Sequence, residues 1–142
     1  MSKAFTKEDD DAPIAPVVRR GVPVPEPNFV TPAGLAAARA ELDDPATDEA
    51  RRRELTEHLA TAQALEPPAD RGEVGLGASV TVEDEAGKRT TYRLVGAIET
   101  DARRGQLSWQ SPIANALWGL RVGDTAVLPR GGEVEIVAIA YL

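Results

Sequence analysis

Four acids crowd one short stretch of the chain, Asp43-Asp44-Pro45-Ala46-Thr47-Asp48-Glu49. Carboxylates at that density are hard oxygen donors of the kind that hold Mg²⁺. The same residue types are the favoured caps and first-turn acids of helices, and Asp44 directly before Pro45 is placed to cap whatever follows. Capping is the preferred reading. His58 is the single histidine, and there is no cysteine. Disulfides, iron-sulfur clusters, thiolate nucleophiles and Cys- or His-pair zinc sites are thereby excluded, and a Ser-His-Asp triad gains no support. His58 is expected to be structural, beside Leu55 and Leu59. Gly131-Gly132 offers backbone N–H groups to an anion, but after Pro129-Arg130 two glycines most simply make a strand turn.

A second stretch reads as a helix entry between two tryptophans. Gln110-Ser111-Pro112-Ile113-Ala114 contains a helix entry, with serine as N-cap and proline in the first turn. Trp109 and Trp118 flank it, and tryptophan is over-represented where interfaces concentrate their energy. One of the two must anchor the sheet, which leaves Trp118 as the expected exposed residue.

These residues need elements to position them, and 142 residues suffice for one domain plus an accessory element. Twenty-three acids against sixteen Lys and Arg give a net charge of −7, which opposes wrapping a phosphate backbone. Aromatic residues are only 4%, too few to wall a large apolar ligand site. Residues 1–28 are charged and proline-rich, without period, and read as a disordered tail; Pro13 to Pro16 has PxxP spacing. The N-terminus lacks a signal-peptide core, and no apolar run is long enough to span a bilayer. A cytoplasmic protein without membrane contact is expected.

Thr31-Pro32 opens a helix whose stripe is Leu35, Ala38 and Leu42. Pro45 stops it, and a second helix is expected over residues 46–65, with Leu55, Leu59 and Ala62 inward and Arg51, Arg52, Glu54 and Glu57 outward. Pro67-Pro68 ends it. So short a connection makes residues 29–70 an antiparallel helical hairpin. From Val74 the period changes to that of strands: residues 79–83 and 90–95 around a turn at 85–88, a short strand over 105–109, a helix from Pro112 to about Leu117, and a last strand pair, 125–128 and 133–141. The final strand is apolar on both sides and should be interior. The fold class is therefore α+β, a short helical hairpin followed by a mostly antiparallel sheet domain, residues 71–142, with one short helix.

Leu76-Gly77-Ala78-Ser79-Val80-Thr81-Val82, Tyr92-Arg93-Leu94-Val95-Gly96, Ser111-Pro112-Ile113-Ala114-Asn115-Ala116-Leu117, Val122-Gly123-Asp124 and Gly131-Gly132-Glu133-Val134-Glu135, ending in Tyr141-Leu142, stand in one register. In that order and spacing they resemble the GreA/GreB transcript-cleavage factors. The resemblance implies an FKBP-like C-terminal domain that docks on bacterial RNA polymerase at the rim of its secondary channel, and a hairpin that enters the channel. It also implies a polymerase-facing surface at Gln110, Ser111, Pro112, Ile113, Ala114 and Trp118; Gln110 stands where relatives carry Asp or Asn. In the family an acidic tip of the form Asp-x-x-x-Glu-Asn helps the polymerase hold a second Mg²⁺ and hydrolyse its own backtracked RNA.

The departures fall on that tip. A first arm of this length extends only about 20 Å, short of a deep active site, and Asp43, Asp44, Asp48 and Glu49 do not spell the family pattern. The expectation is a non-enzymatic regulator of elongation that acts by occupancy, with no metal, no cofactor, no sequence-specific nucleic-acid contact, and a monomeric state. A short-hairpin polymerase-binding protein of the regulator-of-nucleoside-diphosphate-kinase type, or an interaction module with an unrelated target, are the alternatives. Peptidyl-prolyl isomerisation, which FKBP-like folds elsewhere support, lacks the aromatic walls its pocket needs.

Overall fold

The computed structural model describes residues 23–141. Most of the segment read as a tail, including the PxxP spacing at Pro13 and Pro16, lies outside the described residues. Its last residue, Asn28, does not behave as tail: it is buried, and its amide donates to the His58 carbonyl at 2.8 Å and the Thr61 hydroxyl at 3.1 Å.

A two-residue strand, β1 (Phe29–Val30), leads into α1 (Pro32–Asp43). Thr31 caps α1 as its sequence demands, its hydroxyl accepting the Gly34 N–H at 2.9 Å with Pro32 at the first helical position. The next helix, α2 (Glu49–Thr61), is shorter at both ends than its periodicity suggested. It starts three residues late because Asp48, not Asp44, caps it, accepting from Arg51 N–H at 2.8 Å. Asp44 instead folds the turn, accepting from Ala46 N–H at 2.9 Å. Its end comes early because Gln63–Ala64 leaves the helix to form β2, pairing in parallel with β1. Leu65, the last residue of the expected helix, is consequently exposed.

Val30, Ala38, Leu55 and Ile98 form the core beneath the helices, with Leu35, Leu42, Leu59 and Ala62 packed around it. Ile98 comes from the sheet domain, so this small core also joins the two parts. Arg51 and Arg52, assigned to the solvated face, turn inward across the helical pair. Arg51 bridges Glu41 at 2.8 and 3.0 Å and Glu54 at 2.6 Å. Arg52 donates to three carbonyls, those of Leu42, Asp44 and Thr47 at 2.9, 2.8 and 3.1 Å. The last turn of α1 has orphan carbonyls that need such donors.

The larger sheet contains β3 (Ala78–Asp84), β4 (Arg89–Val95), β5 (Gln106–Ser108), β6 (Thr125–Leu128) and β7 (Gly132–Tyr141), in the order β5-β4-β3-β7-β6. Only the β4–β5 pair is parallel. The fold is thus mixed α+β with a mostly antiparallel sheet. A short helix, α3 (Pro112–Leu117), covers its inner face, where Val80, Val82, Leu94, Leu117, Val134 and Ile136 make the main core. Interior placement of β7 follows the sequence, but its two-sided apolar pattern has a different cause from burial on both faces. Val82 pairs with Ile136 and Thr81 with Ala138, leaving Val137 as an extra residue. That bulge switches the inward parity from Val134 and Ile136 to Ile139 and Tyr141.

Candidate functional site

Ser111 caps α3, its hydroxyl accepting the Ala114 N–H at 3.2 Å. The cap leaves Pro112 exposed and points Ile113 across a gap toward the β6–β7 turn. There a cavity of about 430 Å³ opens between Tyr92, Leu107, Ile113, Leu128 and Pro129, with Pro112 and Arg130 in its wall. Its lining is apolar apart from the Ser111 hydroxyl, the Tyr92 phenol and the Arg130 guanidinium. A mostly apolar recess with a few polar groups is suited to a binding contact.

Of the six residues expected to face a partner, Ser111, Pro112 and Ile113 share this cavity. Ala114 must be removed from the set. It is fully buried, because α3 turns Ala114 and Leu117, three residues apart, into the core. Gln110 is exposed, its N–H held by the Ser108 hydroxyl at 3.2 Å. Trp118 is 42% exposed and belongs to a separate patch. Its ring lies 6.1 Å from that of Trp109, which in turn lies 5.6 Å from Phe29. The aromatic row therefore ties β1 to the end of α3, a link that the spacing of the tryptophans alone did not disclose.

The tip of the helical pair brings Asp43, Asp44, Asp48 and Glu49 within one turn, but their oxygens are not convergent. Asp44 and Asp48 each spend an oxygen on a backbone N–H, and Asp43 and Glu49 stand exposed. Among the described residues no three His, Asp or Glu side chains come together in a manner suited to a metal ion. The described tip residues do not assemble a metal site by themselves. His58 is buried on the inner face of α2, the face that carries Leu55. Gly131 lies in the β6–β7 turn, and Gly132, with φ of 71°, opens β7 opposite Leu128.

Glu99 was not singled out by any motif, yet it fixes the helical pair on the sheet. Its carboxylate accepts the Thr31 N–H at 2.9 Å, the Thr31 hydroxyl at 2.5 Å and the Gly96 N–H at 2.9 Å. The joint is possible because two neighbours lack side chains. A Cβ on Gly34 would strike Glu99, and one on Gly96 would lie 2.6 Å from the Phe29 carbonyl oxygen. An isolated glycine inside an alanine-rich helix is the signal that marked this spot.

Comparison with known proteins places these features in context. The family described as "Transcription elongation factor, GreA/GreB, C-term" matches residues 68–141. Transcription elongation factor GreA of Anaeromyxobacter sp. (strain K) is 34% identical over 140 residues, covering 88% of this chain and 84% of that protein. GreA of Verminephrobacter eiseniae is 37% identical over 134 residues, covering 83% and 85% respectively. GreA of Ralstonia nicotianae is 43% identical over 101 residues, covering 66% of this chain and 63% of its own. Among solved structures, the GreA factor homolog 1 protein of Thermus thermophilus is 26% identical, covering 80% of this chain and 98% of that one with a TM-score of 0.45.

Proposed function

The chain belongs to the GreA/GreB family of transcription elongation factors, and from that premise we propose that it binds bacterial RNA polymerase at the secondary-channel rim without promoting full transcript cleavage. On this reading the sheet domain, FKBP-like in kind, docks through the cavity beside Pro112 and Ile113, while the helical pair acts as a truncated hairpin at the channel entrance. The protein is a cytoplasmic regulator that works by occupancy and leaves the chemistry to the polymerase.

The observation that carries the proposal is the tip. With twelve residues, α1 reaches only about 18 Å at 1.5 Å per residue. At that distance the carboxylates of Asp44 and Asp48 are committed to capping the turn and α2. Cleavage stimulation needs carboxylates free to orient a metal and water at the reacting phosphate; two of the four tip acids each spend an oxygen on capping, and the short α1 holds all four back. The cavity supports the docking half of the reading, since an apolar recess with one basic residue at its rim suits a protein contact with a hydrophobic core and polar edge.

The test is a competition on a backtracked bacterial elongation complex carrying labelled RNA. A cleavage-competent Gre factor shortens the transcript, and this protein is titrated in. Falling cleavage is the expected result. Unchanged cleavage at large excess rejects rim binding, and transcript shortening by this protein alone rejects the incompetent tip.

A further inference from the structure

Where the helical pair meets the sheet, a cavity of about 300 Å³ lies between the first turn of α1, the chain after β2 and the outer face of β4. Arg71 and Arg93 are among the residues that line it, and Arg93 also borders the neighbouring cavity beside Glu99 and Asp101. Neither arginine forms an ion pair among the described residues. Tyr92 and Leu94 point into the main core, so strand alternation puts Arg93 on the opposite face, beneath Thr31. Its Nε is buried and has no hydrogen-bond partner.

That is an uncommon state for a guanidinium donor. Buried donors are nearly always bonded, and leaving a charged one unmet costs more than the bond itself returns. The carboxylates nearby do not supply the missing partner. Glu99 is taken up by Thr31 and Gly96, and Asp101 caps the turn at Arg103 while lying 3.6 Å from Arg104. Glu66, also in the cavity wall, is exposed. The first turn of α1 adds the positive end of a twelve-residue helix, most of which Glu99 already answers.

The geometry points to a binding site for a small phosphate-bearing ligand, held by Arg93 and Arg71 in the cavity between helical pair and sheet. Planar guanidinium groups bond phosphate oxygens in parallel pairs, and two arginines bordering one recess suit a multiply charged phosphate better than a single carboxylate. A ligand there would touch both parts of the molecule at once. Nothing in this site depends on polymerase docking, so it stands or falls separately from the proposed function.

Inorganic pyrophosphate is the probe, added to the full chain at low salt while the arginine Nε–H resonances are followed by NMR. The Arg93 Nε–H is expected to shift and saturate at sub-millimolar pyrophosphate. Arg71→Gln, an exposed loop change with no folding burden, should weaken binding about tenfold, as expected for one lost charged hydrogen bond. Arg93→Gln should abolish it, with the core methyl resonances reporting that the fold is kept. An Arg93 resonance that does not move overturns the proposal, as does unchanged affinity in Arg71→Gln. A response to acetate as large as that to pyrophosphate overturns the assignment to phosphate.

Discussion

Glu99 and Thr31 are 68 positions apart, and the carboxylate of one receives both donors of the other, N–H at 2.9 Å and hydroxyl at 2.5 Å. Through this pair the sheet domain caps the helical pair. Glu99→Ala removes the acceptor for three donors, and a loss of about 2–3 kcal/mol is expected in urea unfolding. Gly34→Ala should destabilise as well, although alanine is the better helix former, because its Cβ meets Glu99. If Gly34→Ala proves stabilising, the close approach is wrong.

The Arg51 guanidinium, bonded to Glu41, holds the Glu41 carboxyl below the ordinary glutamate range. A depressed folded-state value means that the contribution is present above the unfolded value and is lost as pH falls through the folded one. Acidification from about pH 5 to pH 3 should therefore loosen the helical pair more in the wild type than in Glu41→Gln. The Glu41 side chain is 42% exposed, so screening limits the difference to below about 1 kcal/mol. Helical circular dichroism across that pH range, compared between the two proteins, is the measurement.

At the alkaline end the relevant group is Tyr141, whose phenol burial pushes above the ordinary tyrosine range. Its hydroxyl donates to the Glu73 carbonyl. Because the folded value is raised, stability is fully present below the ordinary tyrosine value and is lost as pH rises through the folded one. Tyr141→Phe should start less stable at neutral pH and decline less above about pH 10. Parallel alkaline melting curves for the two proteins would contradict this.

Docking at the proposed rim can be probed without disturbing the core. Pro112 and Arg130 are exposed on the cavity wall. A glutamate at the first helical position favours the helix dipole, so Pro112→Glu keeps α3. Pro112→Glu and Arg130→Glu should each weaken competition against a cleavage-competent Gre factor by about tenfold, with melting temperatures near that of the wild type. Leu117→Ala is the contrasting control: it empties a fully buried site and should cost about 2–5 kcal/mol.

Local signals in the sequence were reliable where the physics is local. Thr31-Pro32 and Ser111-Pro112 open helices because capping and a fixed proline φ act within four residues. The strand pair β3–β4 and its turn follow from alternation and a short polar link. What escaped was set at a distance. Gln63 and Ala64 continue a helical pattern, and only β1, more than thirty residues earlier, draws them into a strand. The reversal of parity at Val137 arises from pairing with β3 and leaves no mark on hydropathy beyond a two-sided strand. In the candidate site, Pro112 and Ile113 could be placed from their motif, whereas the burial of Ala114 depends on which face α3 turns to the core. Glu99 carried no motif at all.

The pairing of β1 with β2 has a mechanical consequence. It clamps the root of both helices, while Arg51 and Arg52 clamp the far end. Bound at both ends, the helical pair is braced as a single lever, and any rocking of it would turn about the joint where Glu99 and Gly96 meet Thr31 and Phe29. Over the roughly 18 Å of α1, a rocking of about 10° at that pivot displaces the tip by only about 3 Å. Steering the tip is thus a matter of the few atoms at the fulcrum, and side chains along the arm have little leverage over where it points.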